Sequence, residues 1–145
     1  MRKFIIAGLL LSGCGAPQTT WNGDARLCDH IVEGACVNGI SVEMVQENLS
    51  RARKLFGAFD VSGYMISTQD KPIQCGYIDD AAGCWDGIDK TVIIQTNSVY
   101  CEDFLLVHEF GHIAIHDGQH KDYRWGVLIN TGHSNGECFD LPAEE

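Results

Sequence analysis

From Val99 to about His116 the chain is apolar almost all round, with Phe104, Leu105, Leu106, Val107, Phe110, Ile113, Ala114 and Ile115 spread over every side of a helix. A helix of that kind is buried, so the fold has to be built around it. Its polar groups must then find partners, because an unpaired polar or charged side chain in an apolar interior is costly. In the middle of the helix those groups are His108, Glu109 and His112. Residues four apart share one helical face, so His108 and His112 aim their imidazoles at a common point, with Glu109 one position round. Two neutral imidazoles are good zinc ligands. A neighbouring carboxylate is placed to take the proton of a water acidified by the metal.

The remaining elements are read around this helix. Ser41 opens a helix with Val42, Val45, Leu49, Ala52, Leu55 and Phe56 at helical spacing and Gly57 as its stop. Phe59 to Ser67 reads as a strand or two, Gln74 to Ile78 as another, and Asp79 to Gly83 as a turn or loop. Lys90 to Gln95 is the clearest strand, β-branched and bounded by turn residues. Asn97 and Ser98 are candidate N-caps for the apolar helix, and Asp117-Gly118 ends it. Tyr123 to Asn130 is a short helix or loop, Arg26 to Gly39 is an irregular cysteine-bearing segment, and the chain beyond Thr131 is rich in glycine and polar residues. The expected fold is α+β: a backing helix, a short mixed twisted sheet, the active-site helix and an irregular C-terminal segment, stapled by disulfides.

The chain begins with Arg2 and Lys3, then an apolar run from Phe4 to Leu11. That run is too short to span a bilayer, which takes about 20 residues, and it reads as an export signal. Leu11-Ser12-Gly13-Cys14 resembles the lipobox of bacterial lipoproteins, which implies a signal peptide over 1–13, lipid attachment at Cys14 and a flexible tether over 14–25. Residues 26–145 then form one domain. Acyl chains on Cys14 would anchor the domain to a membrane without spanning it. Gly15 after the cysteine implies, by the same resemblance, the outer membrane of the bacterial cell envelope.

Setting Cys14 aside leaves six of the seven cysteines, Cys28, Cys36, Cys75, Cys84, Cys101 and Cys138. In an oxidising compartment an even set in a small domain implies up to three disulfides, with 15 possible pairings. Proximity suggests Cys28–Cys36 and Cys75–Cys84, leaving Cys101–Cys138. No CxxC pair supports a cysteine zinc cluster. The net charge of −10, with histidine neutral, becomes about −12 once Arg2 and Lys3 are removed. Such a surface repels nucleic acid, and a monomer acting on peptides or proteins is expected.

His108-Glu109-Phe110-Gly111-His112 matches the HExxH pattern of zinc metalloproteases, and the order of elements resembles a minimal zincin domain over roughly Ser41 to Cys138. The resemblance implies a lipid-anchored metallopeptidase with one catalytic zinc ion, His108 and His112 as ligands and Glu109 as general base. A catalytic zinc takes a third protein ligand. His116 lies about 12 Å along the axis from His108, too far to share an ion with it on a straight helix. His120, just past the Asp117-Gly118 turn, is the first choice, with Glu137 and His133 as alternatives. The metzincin motif HExxHxxGxxH would place its third histidine at position 118, where this chain has Gly118, and no methionine follows Met65 to make a methionine turn. Glu137 would be the gluzincin-like solution, and Gly132-His133 with Phe139 distantly resembles SprT-like proteins. The HEFGHIAIH run resembles the ImmA/IrrE peptidases, without their downstream glutamate-rich motif. Leu128 is a candidate apolar floor for the site. Tyr123, Arg124 or a non-ligating His133 is a candidate to stabilise an oxyanion. The alternative function is a non-catalytic surface lipoprotein with a structural metal or a degenerate zincin.

Overall fold

In a computed structural model of the protein the described residues are 21–131, so the proposed signal peptide, Cys14, His133, Glu137 and Cys138 lie outside them. A 3-10 turn at Ala25–Leu27 leads into two short strands, β1 (His30–Val32) and β2 (Ala35–Asn38). Helix α1 (Val42–Phe56) and strand β3 (Met65–Gln69) follow, then a small hairpin of β4 (Ile73–Cys75) and β5 (Ile78–Ala81). Strands β6 (Gly83–Asp86) and β7 (Thr91–Gln95) precede α2 (Glu102–Ile115) and α3 (Tyr123–Thr131). The five-stranded sheet has the order β1-β2-β3-β7-β6. Its three central strands run parallel and the two edges antiparallel. This is the expected α+β class with a mixed sheet.

The register carries the logic of the site. Val37, Ile66, Val92 and Trp85 lie in one cross-strand row. Residues directly opposite share a face of the sheet, so Trp85 belongs to the same face as the buried Val37, Ile66 and Val92. Ile94 pairs with Gly83 one row further on, which puts Gly83 on that face as well. Helices α1 and α2 pack closely on each other, and α2 also packs on β6 and β7. Val45, Leu49, Leu106 and Phe110 join the sheet residues in one core. No helix among the described residues is long and apolar enough to cross a membrane.

Helix α1 begins and ends as its sequence predicts. Ser41 Oγ accepts the Met44 N–H at 3.1 Å, and Gly57 closes the helix at φ 94°. Helix α2 instead takes Cys101 as N-cap, without a side-chain cap bond, while Ser98 Oγ accepts from the Tyr100 N–H in the preceding turn. Buried Asn48 ties the two helices. Its amide donates to Asp103 Oδ1 and to the Met44 carbonyl, and its oxygen accepts from Arg51.

Three segments depart from expectation: Gln74 to Ile78, read as one strand, holds the end of β4, the turn at Gly76 and Tyr77, and the first residue of β5. The irregular segment from Arg26 to Gly39 holds the β1–β2 hairpin, turned by Glu33 and Gly34 at φ 47° and 79°. Asparagine or aspartate before glycine would have marked such a turn; glutamate does not. The supposed loop from Asp79 to Gly83 contains most of β5 and the first residue of β6. Its strand β5 is exposed at Ile78, Asp79 and Asp80, so no apolar face advertises it. Pairing with β4 and the Cys75–Cys84 disulfide hold it instead. Cys28–Cys36 and Cys75–Cys84 are bonded as expected. Cys101 is also in a disulfide, and its expected partner Cys138 lies outside the described residues.

Candidate metal centre

Helix α2 delivers His108 and His112 to one spot, and the chain beyond it brings a third ring. His116 ends the helix at φ 50° in the left-handed conformation. It faces Trp85 rather than the other histidines, at 6.1 Å between ring centroids. Asp117 then organises the return. Its carboxylate accepts the N–H groups of Gln119 at 3.0 Å, Lys121 at 2.6 Å and Asp122 at 2.9 Å, and the Trp125 indole N–H at 3.0 Å. The Asp122 amide foremost, with the other donors, holds this carboxyl down to about 2. A second left-handed residue, His120 at φ 56°, completes the turn and points its ring back.

The three Nε2 atoms form a nearly equilateral triangle. His108–His112 is 3.2 Å, His108–His120 3.0 Å and His112–His120 3.2 Å. Three nitrogens at bonding distance from one tetrahedral zinc would be separated by about 3.3 Å, so the triangle fits such an ion with little adjustment. It does not work as a hydrogen-bonded set. An imidazole nitrogen is either a donor or an acceptor, and three of them in mutual contact cannot all be satisfied by protons. His112 Nδ1 lies 2.9 Å from the Asp117 carbonyl, which can only accept. Nδ1 therefore carries the proton and Nε2 presents its lone pair to the centre. Burial, followed by the fields of the neighbouring histidines, lowers His108 to about 3. Burial chiefly, against the opposing Asp117 carbonyl bond, lowers His112 to about 4. Both rings are neutral at pH 7, the state a metal requires.

Trp125, which the sequence did not single out, backs the whole cluster. It is buried, and its ring centroid lies 5.0, 4.7 and 4.6 Å from those of His108, His112 and His120. Leu128, the expected floor, is buried in the general core; the ring against the histidines is that of Trp125. Its signal was the i−8 aspartate that holds the indole, a link across a loop that no periodicity reveals. On the other side Trp85 stacks on His112 at 5.5 Å and 13°. Gly111 lets the three helices close on one another: a Cβ there would lie 2.7 Å from the Phe56 ring and 2.9 Å from Trp125.

Glu109 is only 3% exposed. Its carboxylate lies so close to Gly83 of β6 that a Cβ on Gly83 would overlap Oε1. Burial pushes its carboxyl up to about 8. Gly83 is thus, after Trp125 and Trp85, a third residue of the site that the sequence did not identify. Of the candidate oxyanion groups, Arg124 is committed elsewhere: it forks onto Asp122 and donates to the Phe56 carbonyl at 2.7 Å. Tyr123 is largely exposed, and His133 and Glu137 lie outside the described residues. Among the described residues His108, His112 and His120 are the one group of three or more ligating side chains close enough to hold a metal ion. No known protein family, curated protein or solved structure matches the chain.

Proposed function

We propose that this chain is a zinc-dependent metallopeptidase, with His108, His112 and His120 as the metal ligands and Glu109 as the general base. The observation that carries the reading is the Nε2 triangle, 3.0–3.2 Å on each side, a spacing that suits three nitrogens on one metal ion. Three imidazole ligands favour zinc among the common ions, and three ligands among the described residues leave a position for chemistry where a structural site would have four. When bound, zinc supplies a Lewis acid that makes water nucleophilic near neutral pH and polarises a carbonyl.

The chain's own residues do the rest. Asp117 fixes the His112 tautomer and folds His120 back, so the ligands are oriented before any ion arrives. Trp85 and Trp125 pack against the buried His112 ring, while His120 stays open to solvent. Glu109, held between α2 and the edge of the sheet, takes the proton of the attacking water on its carboxylate and returns it to the leaving amine. Its burial makes the protonated form easy to reach, which suits a group that must accept and then release a proton. The lipobox-like Leu11-Ser12-Gly13-Cys14 and the disulfides support a domain anchored at Cys14 in the bacterial cell envelope.

Glu109→Gln should retain one zinc per chain and lose hydrolysis of a peptide mixture by about 10²–10⁴-fold. Alanine at His108, His112 or His120 should abolish stoichiometric zinc. Undiminished peptide hydrolysis by Glu109→Gln would rule out the mechanism. Four protein ligands and no exchangeable water, read by X-ray absorption, would favour a structural metal instead.

A further inference from the structure

Strand β6 is an edge of the main sheet, and the β4–β5 hairpin is clamped beside it by Cys75–Cys84. Between the hairpin, β6 and the turn after β6 lies an open groove of about 730 Å³. Its apolar walls are Tyr77, Ile78, Trp85 and Ile88, and His116 from the end of α2 also lines it. Tyr77 is fully exposed, Ile88 94% exposed and Ile78 61% exposed. Single exposed apolar residues are ordinary, but a cluster with a polar rim marks a binding surface. Tyr77, Ile78 and Ile88 are not part of the core cluster, and the Cys75–Cys84 disulfide ties the strand before Tyr77 and Ile78 to β6.

Two features say what the groove would receive. The first is charge. Side chains alternate faces along a strand, so Asp80 shares the face of Ile78. Asp79 and Asp80 are both exposed, with no cation paired to either among the described residues. The whole chain carries −10, so a cationic neighbour to an apolar side chain is favoured and an anionic one repelled. The second is position. Trp85 is the common wall: it stacks on His112 at 5.5 Å and lines the groove. One more van der Waals layer of about 4 Å places an occupant roughly 9 Å from the His112 ring, which about three extended residues cover.

We propose that this groove is a substrate subsite that receives a large apolar side chain from a peptide, with a lysine or arginine within one or two residues of it. The bond cut lies about three residues away. This rests on reading the histidine cluster as the centre of a peptidase. Fluorescence anisotropy with the zinc-loaded Glu109→Gln protein measures binding without turnover. The probes are labelled octapeptides that carry Phe or Ala at one position and Lys or Glu beside it. The Phe-Lys peptide should bind about tenfold more tightly than its Ala-Lys or Phe-Glu counterpart. The double substitution Tyr77→Ser/Ile88→Ser, at two exposed positions, should erase the Phe preference. Asp80→Asn should weaken the Lys preference and leave that for Phe.

Equal binding of all peptides, or a Phe preference that survives the double substitution, overturns the subsite. If the native protein cleaves peptides with unaltered specificity in the double variant, the subsite fails and the peptidase stands. If the groove preference appears while the native protein cleaves nothing, the peptidase reading fails alone. The surface is then a peptide-binding one.

Discussion

A buried glutamate that keeps its proton to about 8 must make the metal-free protein lose stability on the alkaline side. Burial raises the Glu109 carboxyl from 4.5 to about 8, so between those values the folded chain holds a proton that the unfolded chain has released. Stability falls as pH rises wherever the native state binds more protons, at about 1.4 kcal/mol per pH unit. The histidines act in the opposite sense. Burial first, and then their mutual repulsion, lowers His108 to about 3, and burial lowers His112 to about 4. The unfolded chain therefore takes up protons below 6.5 that the folded chain refuses, and stability is lost as pH falls from there. The metal-free protein should be most stable near pH 6.5 and should lose about 1 kcal/mol between 6.5 and 8, where Glu109 is half-titrated and the histidines still offset part of its slope. Glu109→Gln keeps the shape and removes the titration, so it should delete the alkaline limb and leave the acid one. Urea denaturation in a chelator at half-unit pH steps, with disulfides intact, measures both. Parallel curves for the two proteins from pH 6.5 to 8.5 would show that Glu109 is not titrating as a buried acid. Added zinc should flatten the alkaline limb of the native protein, because a cation beside the carboxyl restores its ionised form.

Three further outcomes follow from the packing. Gly83→Ala pushes a methyl group onto the Glu109 carboxylate; zinc stoichiometry should be kept while kcat falls at least tenfold with KM little changed, by steady-state kinetics on a quenched peptide. Asp117→Ala removes the acceptor for three loop amides and the Trp125 indole, which releases His120; competition with a chromophoric chelator should show zinc affinity about 10–100-fold weaker. Gly111→Ala overpacks the contact with Phe56 and Trp125 and should cost about 1–3 kcal/mol, measured as a lower midpoint in urea.

The helix pair and the histidine pair were legible because each rests on one periodicity. Val45, Leu49, Ala52 and Phe56 recur at helical spacing and all four are buried, and His108 and His112 meet because they stand four apart. His120 was reachable only as the first of three choices. Its return depends on two left-handed residues, His116 and His120, and on one aspartate that collects four donors, a geometry that spacing does not encode. Trp85 and Gly83 were hidden for a different reason. They belong to the site through strand register, the pairing of β6 with β7, and register is a long-range property. Strand β5 escaped because an exposed strand held by a disulfide and a hairpin partner has no apolar face to display.

The strongest feature of the centre is that two unfavourable arrangements coincide. Three imidazole Nε2 atoms converge within 3.2 Å, and the next residue after His108 is a buried carboxyl group with no hydrogen bond from any described residue. Each alone costs stability in a metal-free chain, the first by repulsion and the second by desolvation. Replacing either with apolar residues of similar size would relieve the cost, as a buried charge pair is often improved by such a change. One divalent ion at the triangle would ease both together, since it would bind the three nitrogens and its charge would favour the carboxylate. A core histidine set satisfied by ordinary hydrogen bonds would not be arranged this way: each ring would face its own acceptor, as His112 Nδ1 does with Asp117. On the proposed reading, an ion held by the three histidines would also shift Glu109 toward its ionised form, which would couple metal binding to the readiness of the proposed base.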